Sequence, residues 1–232
     1  VERFSEVYDA MNYACVQLSR RSPYGTAFVR LNYSDRFNSQ GVQLEGDLYP
    51  LVGDGVYAYL NYGFSQSTLF PKHRFGAELY TRLFSGFEGS VGLRHYSFDA
   101  ASSITLYTGA IGYYFGNHWL SFRPYLIPTG GVVASSASMT MRRYIGDSET
   151  YVSLHAGTGF SADERPIQSS SGFLGQEIFL LQSQTIGLGW QQSVGTTTLV
   201  LATLDVTHQE LSFTPGNYVT MYSFSVGFRT RF

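Results

Sequence analysis

The last twelve residues, Met221 to Phe232, read MYSFSVGFRTRF. Tyr222, Phe224, Val226, Phe228 and Phe232 share one parity, while Ser223, Ser225, Gly227, Arg229 and Arg231 take the other. In an extended chain successive side chains point to opposite faces, so this segment predicts a strand with one apolar and one polar face.

The same period of two recurs upstream. In Gly41 to Pro50, Val42, Leu44 and Leu48 oppose Gln43, Glu45, Asp47 and Tyr49. In Val56 to Gln66, Ala58, Leu60 and Tyr62 oppose Tyr57, Tyr59 and Asn61. From Arg74 to Phe84, Phe75, Ala77, Leu79 and Leu83 oppose Arg74, Glu78 and Arg82. Comparable runs follow to the carboxyl end. Short Gly, Asn or Asp turns separate them at Ser22–Gly25, Gly53–Gly55, Ser85-Gly86, Gly116-Asn117, Gly146-Asp147 and Val194-Gly195, which are hairpin signals. Between these, longer links are expected at Ser65–His73, Asp99–Ser103, Pro128–Ser135, Ser161–Gly172 and Ser212–Asn217. Counting segments gives about 14 strands, with 12 as the alternative. A ragged first strand is expected over Val1 to Tyr8, and Ser161 to Leu181 reads either as a folded loop or as strand extending beyond the membrane. No linker or charge block divides the chain, so residues 1–232 are expected to form a single domain.

Composition separates a membrane wall from a water-soluble sheet. Aromatic residues make up 16% of the 232 residues and charged ones only 14%, against roughly 25% charged in an ordinary soluble domain. No stretch approaches the ~18 apolar residues of a spanning helix. Alternating strands escape that test, because polar and apolar residues average out. In a soluble sandwich the polar face meets water; here it mixes Arg, Glu and Asp with Tyr, Ser and Gly, as suits a crowded aqueous lumen. Aromatics gather near predicted strand ends, among them Tyr113, Tyr114, Phe115 and Trp119, where polar-tipped rings favour the bilayer interface. The terminal segment resembles the strand signal that the barrel-assembly machinery reads in outer-membrane proteins. The expectation is therefore an all-β, transmembrane antiparallel up-and-down β-barrel in the bacterial outer membrane. Its partners would be outer-membrane lipid and lipopolysaccharide, the assembly machinery during biogenesis, and periplasmic or other envelope proteins. The net charge of −2, without a Lys/Arg-rich run, argues against nucleic acid. The single cysteine, Cys15, cannot form an internal disulfide. Starting at Val1, the chain reads as a mature or trimmed product whose export signal is gone.

Four stretches resemble the YaiO-like family of outer-membrane β-barrels: YAYLNYGFSQSTLFPKHRFGAELY (Tyr57–Tyr80), GFEGSVGLRHYSF (Gly86–Phe98), LYTGAIGYYFGNHWLSFRPY (Leu106–Tyr125) and MRRYIGDSETYVSLHAGTG (Met141–Gly159). The likeness runs from about Tyr8 onward and weakens between Ser161 and Leu181. It implies a porin-like barrel in the outer membrane of a Gram-negative-type envelope and no settled activity. Family-level analogy alone adds an envelope polysaccharide as cargo.

Chemistry-bearing motifs are sparse. His73, His95, His118, His155 and His208 form neither HxH nor HExxH, so no metal site is expected, and no cofactor. There is no G-x-S-x-G. His155 lies two residues from Ser153 without an evident orienting carboxylate, and the chain is not expected to be an enzyme. The remaining constellation is charged. By parity Arg30, Glu45, Asp47, Arg74, Glu78, Arg82, Glu88, Arg94, Arg123, Arg142 and Arg229 face inward, with Arg82 across a hairpin from Glu88. Two functions follow. One is a channel or export component whose lining selects solutes by charge. The other is a structural or partner-binding barrel with a closed, salt-bridged lumen. Because Phe232 ends the assembly signal, Phe232→Ala should lower the amount of heat-modifiable, folded barrel in the outer membrane; normal levels would remove that role.

Overall fold

The structure is a computed structural model that describes residues 1–5, 9–36, 38–98, 103–169, 172–195, 197–211 and 214–230, with backbone alone for 160–169 and 172–180. It is built of strands: β1 (Glu2–Phe4), β2 (Asn12–Ser22), β3 (Gly25–Arg36), β4 (Ser39–Gly53), β5 (Val56–Ser65), β6 (His73–Arg82) and β7 (Phe87–Ser97) form the first half. The second half is β8 (Ser103–Phe115), β9 (His118–Thr129), β10 (Val132–Tyr144), β11 (Tyr151–Ser169), β12 (Gly172–Val194), β13 (Thr198–Leu211) and β14 (Thr214–Thr230). From β2 to β14 each strand pairs antiparallel with its chain neighbour, an up-and-down meander of 13 strands in a sheet of 14. Short β1 brings the ends together. It pairs β14 at Glu2–Ser223, Arg3–Tyr222 and Phe4–Met221, and Glu2 bridges to Met11 at the head of β2. The barrel is thus nearly closed.

The two faces differ as the period of two requires. Val29, Leu31, Leu44, Leu48, Phe75, Val91, Ile111, Phe122, Ile186 and Phe224 are all exposed on the outside. One rung shows how the register aligns them: Leu48 pairs Leu60, which pairs Ala77, then Leu93, Tyr107 and Leu126. A contiguous apolar band of this kind is foreign to a monomer in water. Facing hydrocarbon it costs nothing, and a closed ladder leaves few backbone groups unpaired there.

Turn chemistry departs from expectation in places. The loop expected at Pro128–Ser135 is a two-residue turn at Gly130-Gly131, both with positive φ (57° and 85°), as a hairpin loop with the twist of its strands demands. The expected first strand over Val1 to Tyr8 shrinks to Glu2–Phe4, and residues 6–8 lie outside the described residues. Within the expected Ser161–Leu181 region, 161–169 and 172–181 are strand: β11 and β12 stay paired from Tyr151–Gln191 up to Ser169–Gly172, with one bulge at Ile167/Gln168. At 19 and 23 residues these two strands exceed the ~9–11 needed to span a bilayer. Of the expected links at Asp99–Ser103 and Ser212–Asn217, 99–102 and 212–213 fall outside the described residues, while Ser103 belongs to β8 and Thr214 to Asn217 are the start of β14 and not a link. At the β10–β11 turn, Asp147 Oδ1 accepts the amides of Glu149 (2.7 Å) and Thr150 (2.6 Å). These bonds, Glu149's first, hold its carboxyl below the usual range.

Strand position decides what an outward charge costs. Leu60→Arg, mid-strand on β5, should destabilise the barrel by ~2–4 kcal/mol in lipid, against ~0–1 for Val52→Arg beside the Gly53–Gly55 turn. Urea unfolding in liposomes checks this, and equal costs would overturn the assignment of the outer face.

Candidate functional site: the charged lumen

The inward positions of β3 to β9 carry most of the ionisable groups. Glu45 on β4 lies opposite Arg30 on β3, and the two side chains form an ion pair of 3.4 Å. Arg74, two strands away on β6, reaches Glu45 at 3.4 Å as well. Asn32 and Asn61 donate to the same carboxylate at 3.0 and 2.8 Å. Asp47 is held by Arg30 and by Asn61. A second cluster forms around Glu78, which accepts from Ser90 (2.6 Å), Arg94 (2.6 Å) and Arg123 (2.8 Å). Arg123 continues to Tyr80 Oη at 3.4 Å.

Several of these pairs skip a strand, and glycine makes the skip possible. Gly63 stands between Glu45 and Arg74 in the ladder. Gly92 stands beside Glu78, where an added Cβ would come within 2.6 Å of the glutamate's own Cβ. Gly112 lets Trp119 Nε1 donate to Glu88 at 2.8 Å. Gly187 separates His155 from Asp205. There His155 Nε2 comes within 2.7 Å of Asp205 Oδ1, but at an angle that leaves that oxygen without a hydrogen bond. The distance therefore marks a contact, and the alignment decides its strength.

Exposure sorts the charges into layers. The Glu45, Asp47 and Glu78 side chains are 2%, 3% and 0% exposed, whereas Arg30 and Arg74 keep 29% and 30%, and Arg94 and Arg123 keep 15% and 21%. Four guanidinium groups thus cover three carboxylates. Aromatic rings share this arc of wall. Tyr49 packs on Tyr59 with centroids 5.1 Å apart, and Tyr57 stacks on Tyr80 at 4.7 Å. Arg94 lies 4.6 Å over the Tyr59 ring, within cation–π range.

The opposite arc carries fewer charges. Inward positions of β10 to β14 include Ser138, Thr140, Ser153, Gly157, Gly187, Gly189, Thr203 and Ser225, interspersed with Arg142, Tyr151, His155, Gln191 and Asp205. At the loop end, Phe98, Ile104 and Ile127 form a buried cluster. The segment 66–72 folds inward there. Leu69 is 1% exposed, its carbonyl accepts from Arg36 at 2.6 Å, and a Cβ on inward Gly41 would strike the Ser67 side chain.

The other charges expected inside have separate fates. Arg142 lies between the Trp119 and Tyr151 rings at 4.7 and 4.8 Å. Arg82 is opposite Glu88 in the ladder, yet no ion pair joins them among the described residues, because Glu88 turns to Trp119. Arg82 and Arg229 are exposed near strand ends. Of the terminal set, Tyr222, Phe224, Val226 and Phe228 stand exposed on the outer face, and Phe232 lies outside the described residues. No group of three or more metal-ligating side chains occurs among the described residues.

An apolar outer band, a charged lumen and an antiparallel wall closed to within one short strand define an outer-membrane β-barrel. The chain belongs to the YaiO family: the family described as "YaiO membrane beta barrel domain" matches residues 1–164. No curated protein matches the sequence. Among solved structures the chain is similar to an anion-selective porin from Comamonas acidovorans, at 12% identity over 95% of this chain and 89% of that one, with a TM-score of 0.46. It is also similar to a loop L8 deletion mutant of OmpT, an outer-membrane protein of Vibrio cholerae, at 11% identity, 94% and 89% coverage and a TM-score of 0.42.

Breaking the Glu78 cluster should show its worth. Glu78→Ala leaves Arg94 and Arg123 without their carboxylate and should cost ~2–3 kcal/mol, less than the ~3–5 of a dry pair because both arginines touch lumen water. A double-mutant cycle on Arg82 and Glu88 should give coupling under about 0.5 kcal/mol. Coupling of ~2 kcal/mol there would contradict the side-chain arrangement.

Proposed function

We propose that this barrel is a channel for hydrated anions, serving permeation or export across the outer membrane. The observation that carries the reading is the layering of charge, with arginines at the lumen surface and carboxylates sealed beneath them. A solute in the lumen meets guanidinium groups before it meets any of these carboxylates. Confinement between low-dielectric walls strengthens that field. Small side chains at several inward positions of β10 to β14 favour passage along the other arc. No catalytic step enters this reading: His155 meets Asp205, but no hydroxyl is hydrogen-bonded to its imidazole among the described residues. Lipid and lipopolysaccharide would surround the apolar band, the assembly machinery would insert the barrel, and envelope proteins would dock at its ends.

A second reading, a closed bracing lumen that anchors other envelope proteins, is favoured by one fact. Each buried carboxylate has several partners, so the network is nearly complete without any solute. Planar-bilayer recording separates the two. A channel gives resolvable steps and a reversal potential showing anion preference. Arg30→Gln with Arg74→Gln should cut the anion-to-cation permeability ratio by about twofold or more. Electrical silence in folded, reconstituted protein selects the bracing barrel, and cation preference overturns the anion channel.

A further inference from the structure

The aromatic rings in the lumen have no part in selecting a simple anion. Tyr49, Tyr57, Tyr59 and Tyr80 occupy neighbouring inward positions on β4, β5 and β6, since Tyr57 pairs Tyr80 and Tyr59 pairs Glu78. All four are half-buried. Packing at 5.1 Å between Tyr49 and Tyr59 and at 4.7 Å between Tyr57 and Tyr80 turns them into one shelf. The guanidinium groups border this shelf directly: Arg94 lies 4.6 Å over Tyr59 and Arg123 donates to Tyr80 Oη at 3.4 Å.

We propose that this tyrosine shelf with Arg94 and Arg123 is a binding subsite for an acidic saccharide. The inference rests on the channel reading and names its solute class. Flat rings with a polar tip offer apolar faces to the C–H face of a sugar ring and hydroxyls to its edge. A guanidinium beside them grips a carboxylate or sulfate in a planar, two-point bond. Serine and threonine hydroxyls on the facing arc suit a solute rich in hydroxyls. An inorganic anion would use the arginines and leave the shelf idle. An uncharged apolar solute would strip water from the four guanidinium groups without compensation. A ring-shaped, hydroxylated anion uses every element present.

The probe is a short oligouronate, compared with a neutral oligosaccharide of equal length, added to single channels in planar bilayers. The oligouronate should interrupt the current at a concentration about tenfold lower than the neutral sugar, and Tyr49→Leu with Tyr57→Leu should raise that concentration about tenfold, the scale of two lost aromatic contacts. Tyr24→Leu, at an exposed turn outside the lumen, should leave the block unchanged. Heat-modifiable migration verifies that each variant is folded. Equal block by both sugars, or block indifferent to the double substitution, overturns the subsite. If the wild-type protein passes no current, the channel reading fails, and calorimetric titration of the oligouronate into the folded protein in detergent then decides the subsite alone. Heat that disappears in the double variant upholds it, and absence of binding overturns it.

Discussion

Backbone amides and carbonyls inside hydrocarbon have no water to bond, so a wall of strands must pair with itself around a ring. Everything else here follows from that closure. A closed sheet has two faces only, and the strand period sends alternate residues to each. Lipid takes the apolar set. The charges are left with the lumen, where water is limited and an isolated ion is costly. Pairing inside the barrel is thus imposed by the wall, and the Glu45, Asp47 and Glu78 clusters answer it.

How they pair depends on what lies between them. Adjacent inward positions sit one strand apart, and a side chain on the intervening strand would block a longer reach. Glycines at those positions remove the block. Gly92 is the clearest case, because it lies beside a carboxylate that Arg123 reaches from three strands away and an added Cβ there would collide with Glu78. The result is an uneven lumen. One arc is crowded with guanidinium groups, tyrosines and buried carboxylates, and the other is richer in serine, threonine and glycine, around Arg142 and the His155–Asp205 contact. Where bulky groups stack mostly on one wall, room for a solute is set by the smaller facing residues, and selectivity by whichever charges stay at the surface.

Much of this was legible residue by residue. Gln43, Glu45 and Asp47 alternate with Val42, Leu44 and Leu48, and the structure puts the first set inside and the second outside. The charge partners were less legible. Arg82 and Glu88 flank a hairpin and pair in the ladder, so an ion pair between them was a fair expectation. Trp119 took the glutamate instead, from β9, through the gap at Gly112. The carboxylate next to His155 was missed because Asp205 lies 50 residues further along the chain, with only register to connect them. Inward glycines were the available signal: at polar parity, a residue with no side chain marks a place where neighbours meet.

Sequence alone determined the strand character, the order of the hairpins and the face to which each residue belongs. These are local properties, fixed by a period of two and by turn residues such as Gly130 and Gly131 that accept positive φ. Tertiary structure alone decided which inward charges meet, that segment 66–72 folds into the mouth, and that β11 and β12 extend as strands where a loop was one of two readings. Those outcomes depend on how far each strand slides against the next as the sheet tilts into a ring, and on the side chains each slide brings into reach. Glu78 and Arg123 are 45 residues apart, and nothing in either neighbourhood points to the other. Only the closed register sets them 2.8 Å apart.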